Sequence, residues 1–299
     1  MYRDFPETQV MGQRPADPAN RSGPVSIGEL IRRHRDLSAE QVERILAHQR
    51  EHDLRFGEAA VALDLASEDD VVRALATQFE YPVSTGRADN FAPELVVVHR
   101  PFSPQAEIFR GIRAQLLMRL FGPQLPRRAI AVVSPDSGDG RSYFAANIAA
   151  AFSQLGGRTL LVDADLRAPR QHRLFGVDNL NGLSNMLVGH GGSRSVAPVL
   201  SLPSLFVLPV GAVPPNPMEL IERPVFGALI ADMLQKFDHV VVDTPAFAHG
   251  MDAPVIAAKC GAALLVARRD RSHFAGVQDL VATLSESPAE LAGVVINEH

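Results

Sequence analysis

The chain has 299 residues, of which 46% are apolar, so it is long enough for one or two domains with buried cores. Its formal net charge of −5 gives no support for a nucleic-acid or anionic-membrane partner, because both favour strongly basic surfaces. The single cysteine, Cys260, excludes an internal disulfide and is typical of a reducing compartment. No apolar stretch approaches the ~18 residues that cross a bilayer, and the first residues lack the features of a secretory signal. We therefore expect a cytoplasmic protein.

Residues 1–25 are rich in proline and lack apolar periodicity, which predicts a disordered segment. Residues 26–82 are predicted to be helical and to repeat after a shift of 29 residues, which aligns Gly28 with Gly57 and Ser38 with Ser67. In each unit a serine precedes acidic residues and then apolar positions at helical spacing, as at a capped helix start. Two such units together bury faces that neither buries alone.

Residues 83–104 are predicted to form a linker, in which Leu95–Val98 could pair as a short strand. Residues 105–299 alternate apolar β-branched runs with amphipathic stretches. This pattern predicts an α/β domain with a mostly parallel sheet and helices on both faces. The predicted strands are Ala129–Val133, Thr159–Val162, Leu205–Leu208, His239–Val242, Ala262–Ala267 and Ala292–Ile296.

A glycine-rich segment from Ser134 to Ser142 follows the first predicted strand and precedes a predicted helix. In that context backbone N–H groups can hold phosphates at a helix N-terminus. The general P-loop pattern has Gly, four residues, then Gly-Lys-Ser/Thr. Here Pro135 replaces the first glycine and Arg141 replaces the lysine, so an ordinary βα turn is the alternative.

Carboxylates follow two other predicted strands. Asp163 and Asp165 come after Leu160–Val162, and Asp243 comes after Val240–Val242. Ligands of doubly wound folds bind at the carboxyl ends of the strands, and Mg²⁺ takes oxygen ligands together with substrate phosphates. A lone aspartate there is more often a helix cap. Three beside a glycine-rich loop favour a nucleotide and metal site.

This set resembles the bacterial tyrosine kinases, in which a P-loop is followed by Asp-x-Asp-x-Arg and then by a motif that ends Asp-Thr-Pro. The resemblance covers about residues 105–299, and it is closest to the chain-length-determinant kinases of exopolysaccharide loci. It implies a P-loop NTPase fold for this part of the chain. Further matching strings are Pro169 and His172, Asn179 with Gly182-Leu183-Ser184, and Gly211 leading to Pro214-Pro215-Asn216-Pro217-Met218-Glu219-Leu220.

The resemblance implies a protein-tyrosine kinase that uses ATP and Mg²⁺. It implies catalytic roles for Asp163, Asp165 and Arg141, with Asp163 orienting the attacking hydroxyl. Mg²⁺ would be bound by Ser142, Asp163 and Asp165, with Asp243 ordering its water. Nucleotide contacts are expected from Ser137, Gly138, Asp139, Gly140, Arg141, Ser142, Tyr143 and, near adenine, Asn297.

Two departures bear on activity. Arg141 presents a planar fork to phosphate oxygens, whereas lysine presents a compact charge. The chain has only two lysines, Lys236 and Lys259, so a general drift to arginine is one explanation and altered catalysis is another. The family usually phosphorylates tyrosines at its own C-terminus. Here none follows Tyr143, and we expect the acceptor to be on another protein.

Glu107, Arg110 and Arg113 form Glu-x-x-Arg-x-x-Arg, which places all three on one helix face. In the kinase family this string lies between the subunits of a ring, which implies a homo-oligomer interface. An intrahelical salt-bridge face is the alternative.

The N-terminal repeat resembles the small N-terminal domain of type II secretion and pilus-assembly ATPases, some of which bind cyclic diguanylate. A protein-docking module is the preferred interpretation, with nucleotide sensing as the alternative. For the whole chain we expect a kinase that works at the cytoplasmic face of the inner membrane through a membrane-embedded chain-length regulator. The alternatives are a P-loop ATPase switch of the partitioning type and a scaffold that binds nucleotide without transferring phosphate.

Overall fold

The computed structural model describes residues 26–78, 91–122, 124–190 and 195–298. The segment predicted to be disordered, residues 1–25, lies outside these ranges. The chain divides into two compact units, Met1–Glu80 and Tyr81–His299. Within the described residues, no helix combines the length and the apolarity that a bilayer span needs.

The described residues of the first unit form four helices, and at the start of each a side chain accepts a backbone N–H. The two matching serines have the same role: the Ser38 hydroxyl accepts the N–H of Gln41, and the Ser67 hydroxyl accepts the N–H of Asp70. Ile31 and Ile45 are fully buried between the helices. The predicted helical character of this region is thus observed, in helices α1 (Ile27–Arg35), α2 (Ala39–His52), α3 (Phe56–Ala62) and α4 (Glu68–Gln78).

In the described part of the second unit, seven strands form one sheet in the order β3-β4-β2-β5-β1-β6-β7. All neighbours are parallel except β3 and β4. The prediction of a mostly parallel sheet is confirmed, and all six predicted strands form. The seventh, β3, is a two-residue edge strand that has too little pattern to be predicted. The strands are β1 (Ala129–Val133), β2 (Thr159–Asp163), β3 (Ala197–Pro198), β4 (Leu205–Leu208), β5 (His239–Asp243), β6 (Gly261–Arg268) and β7 (Glu290–Asn297).

Helices cover both faces of this sheet. Along β1, Ile130 and Val132 pack into one apolar cluster, while Ala131 and Val133 pack into a second cluster on the opposite face. This alternation follows from the two-residue period of a strand. The helices are α5 (Val96–His99), α6 (Pro104–Leu120), α7 (Arg141–Ser153), α8 (Gln171–Leu174), α9 (Leu183–Leu187), α10 (Pro217–Glu222), α11 (Pro224–Lys236), α12 (Asp252–Cys260) and α13 (Phe274–Ser285).

The described part of the predicted linker, residues 91–104, belongs to the core of the second unit. Leu95 and Val97 are fully buried, and the segment forms the short helix α5, so the possible strand at Leu95–Val98 was wrong. Asn147 on α7 explains the difference. Its side chain accepts the N–H of Val97 and donates to the carbonyl of Glu94, so the backbone has partners without a neighbouring strand.

The strings around Asn179, Gly182 and Gly211 have a structural basis. A Cβ at Gly182 would lie 2.1 Å from the carbonyl oxygen of Pro209. The N–H of Gly211, which has φ +78°, donates to the Asn179 side chain. The two glycines therefore allow the segments after α8 and β4 to pack backbone against backbone.

Candidate nucleotide-binding site

The glycine-rich loop joins β1 to the N-terminus of α7. Gly138 and Gly140 have φ angles of +86° and +93°, which residues other than glycine rarely adopt. A Cβ at Gly140 would also lie 2.2 Å from the Asn297 amide nitrogen. The loop ends at Arg141 and Ser142, the first residues of α7. The unpaired N–H groups and the positive end of the helix dipole make this an anion-binding position.

A buried side chain holds the loop in this shape. Asp139 is fully buried, and its carboxylate accepts the N–H of Asp136 and the hydroxyl of Ser272, each at 2.8 Å. Asn297, at the end of β7, donates to the Asp139 carbonyl at 3.0 Å. Asp139 and Asn297 were both predicted to contact nucleotide. In this structure both stabilise the loop, and their contact with nucleotide stays a prediction.

Arg141, which replaces the P-loop lysine, is buried, with 7% of its surface exposed. Its guanidinium donates to the Ser134 hydroxyl at 2.6 Å and to the Asp165 carboxylate at 3.1 Å. Its Nε atom is 3.7 Å from Oδ1 of Asp243. Arg141 therefore supplies positive charge to two of the three predicted metal-site carboxylates.

The register of strands β2 and β5 brings Asp163 and Asp243 next to each other. Asp163 and Asp243 are partners across the parallel strands β2 and β5, and both are fully buried. Burial and the neighbouring charge of Asp243 raise the pKa of Asp163 well above its ordinary value. Burial also raises the pKa of Asp243, against the lowering effect of the Arg141 charge. Without a cation, ionising both carboxylates is unfavourable.

The Asp-x-Asp motif also shapes the turn that follows β2. Asp163 accepts the backbone N–H groups of Arg170 and Gln171 through one oxygen and that of Asp165 through the other. Asp165 accepts the N–H of Ala168 at 2.9 Å. The predicted role of Asp163 in orienting a hydroxyl stays a prediction, since both of its oxygens accept backbone hydrogen bonds here.

Gln171 is a site residue that sequence reasoning missed. Its side-chain amide donates to Asp243 at 2.8 Å and to the Ser142 carbonyl at 3.1 Å, so it links β5 to the start of α7. Ser142 itself is 8% exposed and lies beside Asp243. No motif marks Gln171, because its position depends on the fold of the turn after β2.

A cavity of about 460 Å³ opens above the loop. It is lined by Gly138, Gly140, Tyr143 and Asn297 from the prediction, and by Arg170 and Arg268, which the prediction missed. Arg268 donates to the Gly138 carbonyl at 3.2 Å. Its place at the carboxyl end of β6 follows the same strand-end rule that identified the aspartates, so the sequence contained a signal for it.

Tyr143 and Ser137, both predicted to contact nucleotide, have different surroundings. The Tyr143 ring packs edge-on against Phe109 with centroids 5.8 Å apart, and partial burial raises the pKa of its phenol. The Ser137 hydroxyl is 2.9 Å from Nε2 of His249. These contacts place Tyr143 in the cavity wall and leave Ser137 near solvent.

The predicted interface residues lie on α6 and contact their own chain. Arg110 forms a salt bridge with Glu107 at 2.6 Å, and Arg113 donates to the Ala151 carbonyl at 2.6 Å. The Glu107 side chain is 70% exposed, whereas that of Arg110 is 18% exposed. The intrahelical pair of the alternative interpretation is therefore present, and contact with a second subunit stays a prediction.

Comparison with known proteins agrees with this geometry. Residues 130–299 match the CobQ/CobB/MinD/ParA nucleotide binding domain. Over 204 residues, or 68% of this chain, the sequence is 32% identical to the tyrosine-protein kinase wzc of Salmonella typhimurium, covering 28% of that protein. It is 31% identical over the same share to the "Putative tyrosine-protein kinase CapB" of Staphylococcus aureus and covers 89% of that protein.

A solved structure shows the same likeness in three dimensions. The crystal structure of the chimerical protein CapA2B2 superposes with a TM-score of 0.65 at 32% identity, covering 78% of this chain and 99% of that one. The match to wzc spans less than a third of that longer relative.

The first prediction concerns the buried charges in the absence of nucleotide. Arg141→Met should lower the free energy of unfolding by about 3–5 kcal/mol, because it leaves buried carboxylates without their cation. Arg268→Met is the matched control, since Arg268 lines the same cavity but donates a single longer hydrogen bond. It should cost about 1 kcal/mol or less. Urea denaturation measures both variants, and equal losses would contradict the role given to Arg141.

Proposed function

This chain belongs to the bacterial tyrosine kinases, and from that premise we propose that it is a Mg-ATP-dependent protein-tyrosine kinase that regulates exopolysaccharide synthesis. The observation that carries the proposal is the convergence of the P-loop, Arg141 and three strand-end carboxylates at one edge of a parallel sheet. The chain covers less than a third of the kinase wzc, so the activity is argued from the residues of this site.

The loop residues fit a nucleotide phosphate. Glycine at positions 138 and 140 allows the positive φ angles that shape the loop, and the first turn of α7 supplies N–H groups that no helix carbonyl satisfies. Arg141 and Arg268 provide two guanidinium groups, one bonded to the Ser134 hydroxyl and the other to the Gly138 carbonyl. In this proposal Arg141 exchanges part of its contact with Asp165 for phosphate oxygens, which it can bind through two N–H groups.

The carboxylates fit a divalent cation. Among the described residues, Oδ1 of Asp243 has no hydrogen-bond partner, and burial together with the charge of Asp243 raises the pKa of Asp163 beside it. Ser142, Asp163 and Asp165 would hold Mg²⁺, with Asp243 ordering its water, and oxygen donors are the ligands that Mg²⁺ prefers. Bound ATP would supply the phosphoryl group, and the Mg²⁺ ion would neutralise part of the charge on the phosphates.

The chain's own residues would then position the reactants. Asp163 would orient the phenol of a protein tyrosine, and Arg141 with the loop N–H groups would stabilise the charge on the phosphoryl oxygens. Gln171 would fix Asp243 relative to Ser142 through its two hydrogen bonds. Oδ1 of Asp163 accepts one backbone N–H, so this oxygen can accept a further hydrogen bond from a hydroxyl.

The site is tested by phosphotransfer from labelled ATP to a tyrosine-containing polymer. The wild type should transfer label, and Asp163→Asn should lose about 100-fold or more in turnover, the lower bound for a positioned acid–base group. Its ADP affinity and unfolding temperature serve as controls for folding. Equal turnover of variant and wild type would remove Asp163 from the mechanism.

A membrane-embedded chain-length regulator is the proposed partner. The resemblance to kinases of exopolysaccharide loci supports it, and its cytoplasmic segment should raise turnover in the same assay. Wild-type protein that binds ADP but transfers no label, with or without that segment, would favour the alternative of a nucleotide-binding scaffold. The salt bridge between Arg141 and Asp165 is the observation that favours this alternative, because it engages the side chain that would bind phosphate.

Glu107, Arg110 and Arg113 are proposed to hold subunits of a ring together. The exposure of Glu107 supports an interface: its carboxylate forms a salt bridge with Arg110, yet its side chain remains mostly in solvent. Glu107→Arg should shift an oligomer towards monomer in sedimentation velocity with Mg-ADP. Arg119→Glu, an exposed change on the last turn of α6, is the control. A wild type that is monomeric at high concentration would end this interpretation.

A further inference from the structure

Helix α2 carries a cluster of metal-binding side chains in its last turn. The candidate ligand atoms of His48, Glu51 and His52 all lie within 4.8 Å of one another. The two imidazole rings have centroids 4.1 Å apart and are tilted by 36°. Glu51 and His52 are exposed and His48 is half-buried, so a solvated ion can reach all three.

The helix fixes this arrangement. Residues separated by three and four positions share one helix face, so His-x-x-Glu-His presents all three side chains together. Ser38 and Gln41 form a reciprocal capping box at the start of α2. At its end Asp53 adopts a left-handed conformation and donates its N–H to Gln49. With both ends terminated in this way, the last turn is ordered before any ion binds.

One hydrogen bond sets the tautomer of His52. Its Nδ1 atom lies 3.2 Å from the backbone carbonyl of His48. A carbonyl oxygen can only accept, so Nδ1 carries the proton and a neutral ring keeps its lone pair on Nε2. Metal-binding histidines almost always donate their second ring N–H in this way, commonly to a backbone carbonyl.

The position and the donor set also select the ion. The C-terminal turn of a helix carries the negative end of the dipole and favours cations. Two imidazoles and one carboxylate suit Zn²⁺, Cu²⁺ and Ni²⁺, whereas Mg²⁺ prefers oxygen ligands throughout. Three protein ligands leave a further coordination position for water. We propose that His48, Glu51 and His52 form a site for a divalent transition-metal ion, separate in chemistry from the magnesium site.

Calorimetric titration of the full chain with ZnCl₂, in buffer with excess Mg²⁺, tests this site. We expect a zinc-binding step that Mg²⁺ does not suppress. Substitution of an outer partner of a metal ligand costs about 10–100-fold in affinity, so His48→Gln and His52→Gln should each weaken that step at least ~10-fold. Glu51→Gln should weaken it less, because both imidazoles remain. His190→Gln, a change at an exposed histidine of the second unit, is the control and should leave it unchanged.

Absorption spectra with Co²⁺ in place of Zn²⁺ report the ligands directly. The wild type and the control should give the same visible bands, and both histidine variants should lose them. Circular dichroism confirms that each variant keeps its helices. Wild-type protein that binds no zinc, or histidine variants that bind it as tightly as the wild type, would overturn the proposal.

Discussion

Asp163 and Asp243 face each other across neighbouring strands with no exposure to solvent, and Asp165 lies at the turn that follows. Buried carboxylates in this proximity are costly unless a cation or a proton neutralises them. In this structure the guanidinium of Arg141 supplies the positive charge, in contact with Asp165 and within 3.7 Å of Asp243. Burial and the proximity of these charges raise the pKa values of Asp163 and Asp243, so a proton or a bound cation would complete the compensation that Arg141 begins.

The rest of the second unit positions these charged side chains. A parallel sheet brings the ends of β2 and β5 to one edge, and α7 begins at the same edge directly after the loop. Asp139, Ser272 and Asn297 fix the loop, while Gln171 fixes Asp243 against Ser142. Gln171 thereby joins the end of the loop to the carboxylates. Arg141 joins them as well and carries a charge, so phosphate binding and the carboxylate site can influence each other through its guanidinium.

Much of this architecture could be predicted from sequence because strong local patterns determine it. Apolar runs ended by Asp163 and Asp243 predict buried strands, and glycines at Gly138 and Gly140 predict backbone that approaches a ligand. The predictions were weaker where the structure depends on distant contacts. The run Leu95–Val98 has the composition of a strand, but hydrogen bonds to Asn147, about fifty positions away, make it a helix.

The same limit applies to the site. Gln171 belongs to no motif, and its contact with Asp243 joins residues that are separated by 72 positions in the chain. The sequence also could not reveal that Asp139 would be fully buried, with its carboxylate turned into the loop. Such roles depend on where the backbone places a side chain, and residue type alone does not determine that position.

The central claim is that Arg141 acts as the phosphate-binding residue that lysine provides in the general P-loop pattern. Calorimetry of Mg-ADP binding to the wild type, Arg141→Ala and Arg141→Lys, below the unfolding temperature of each, tests it most directly. Loss of a charge-assisted hydrogen bond should weaken binding to Arg141→Ala by ~1.5–3 kcal/mol, and Arg141→Lys should recover part of that loss. Affinity that is unchanged in Arg141→Ala would show that the guanidinium stays with Asp165 and would contradict the account.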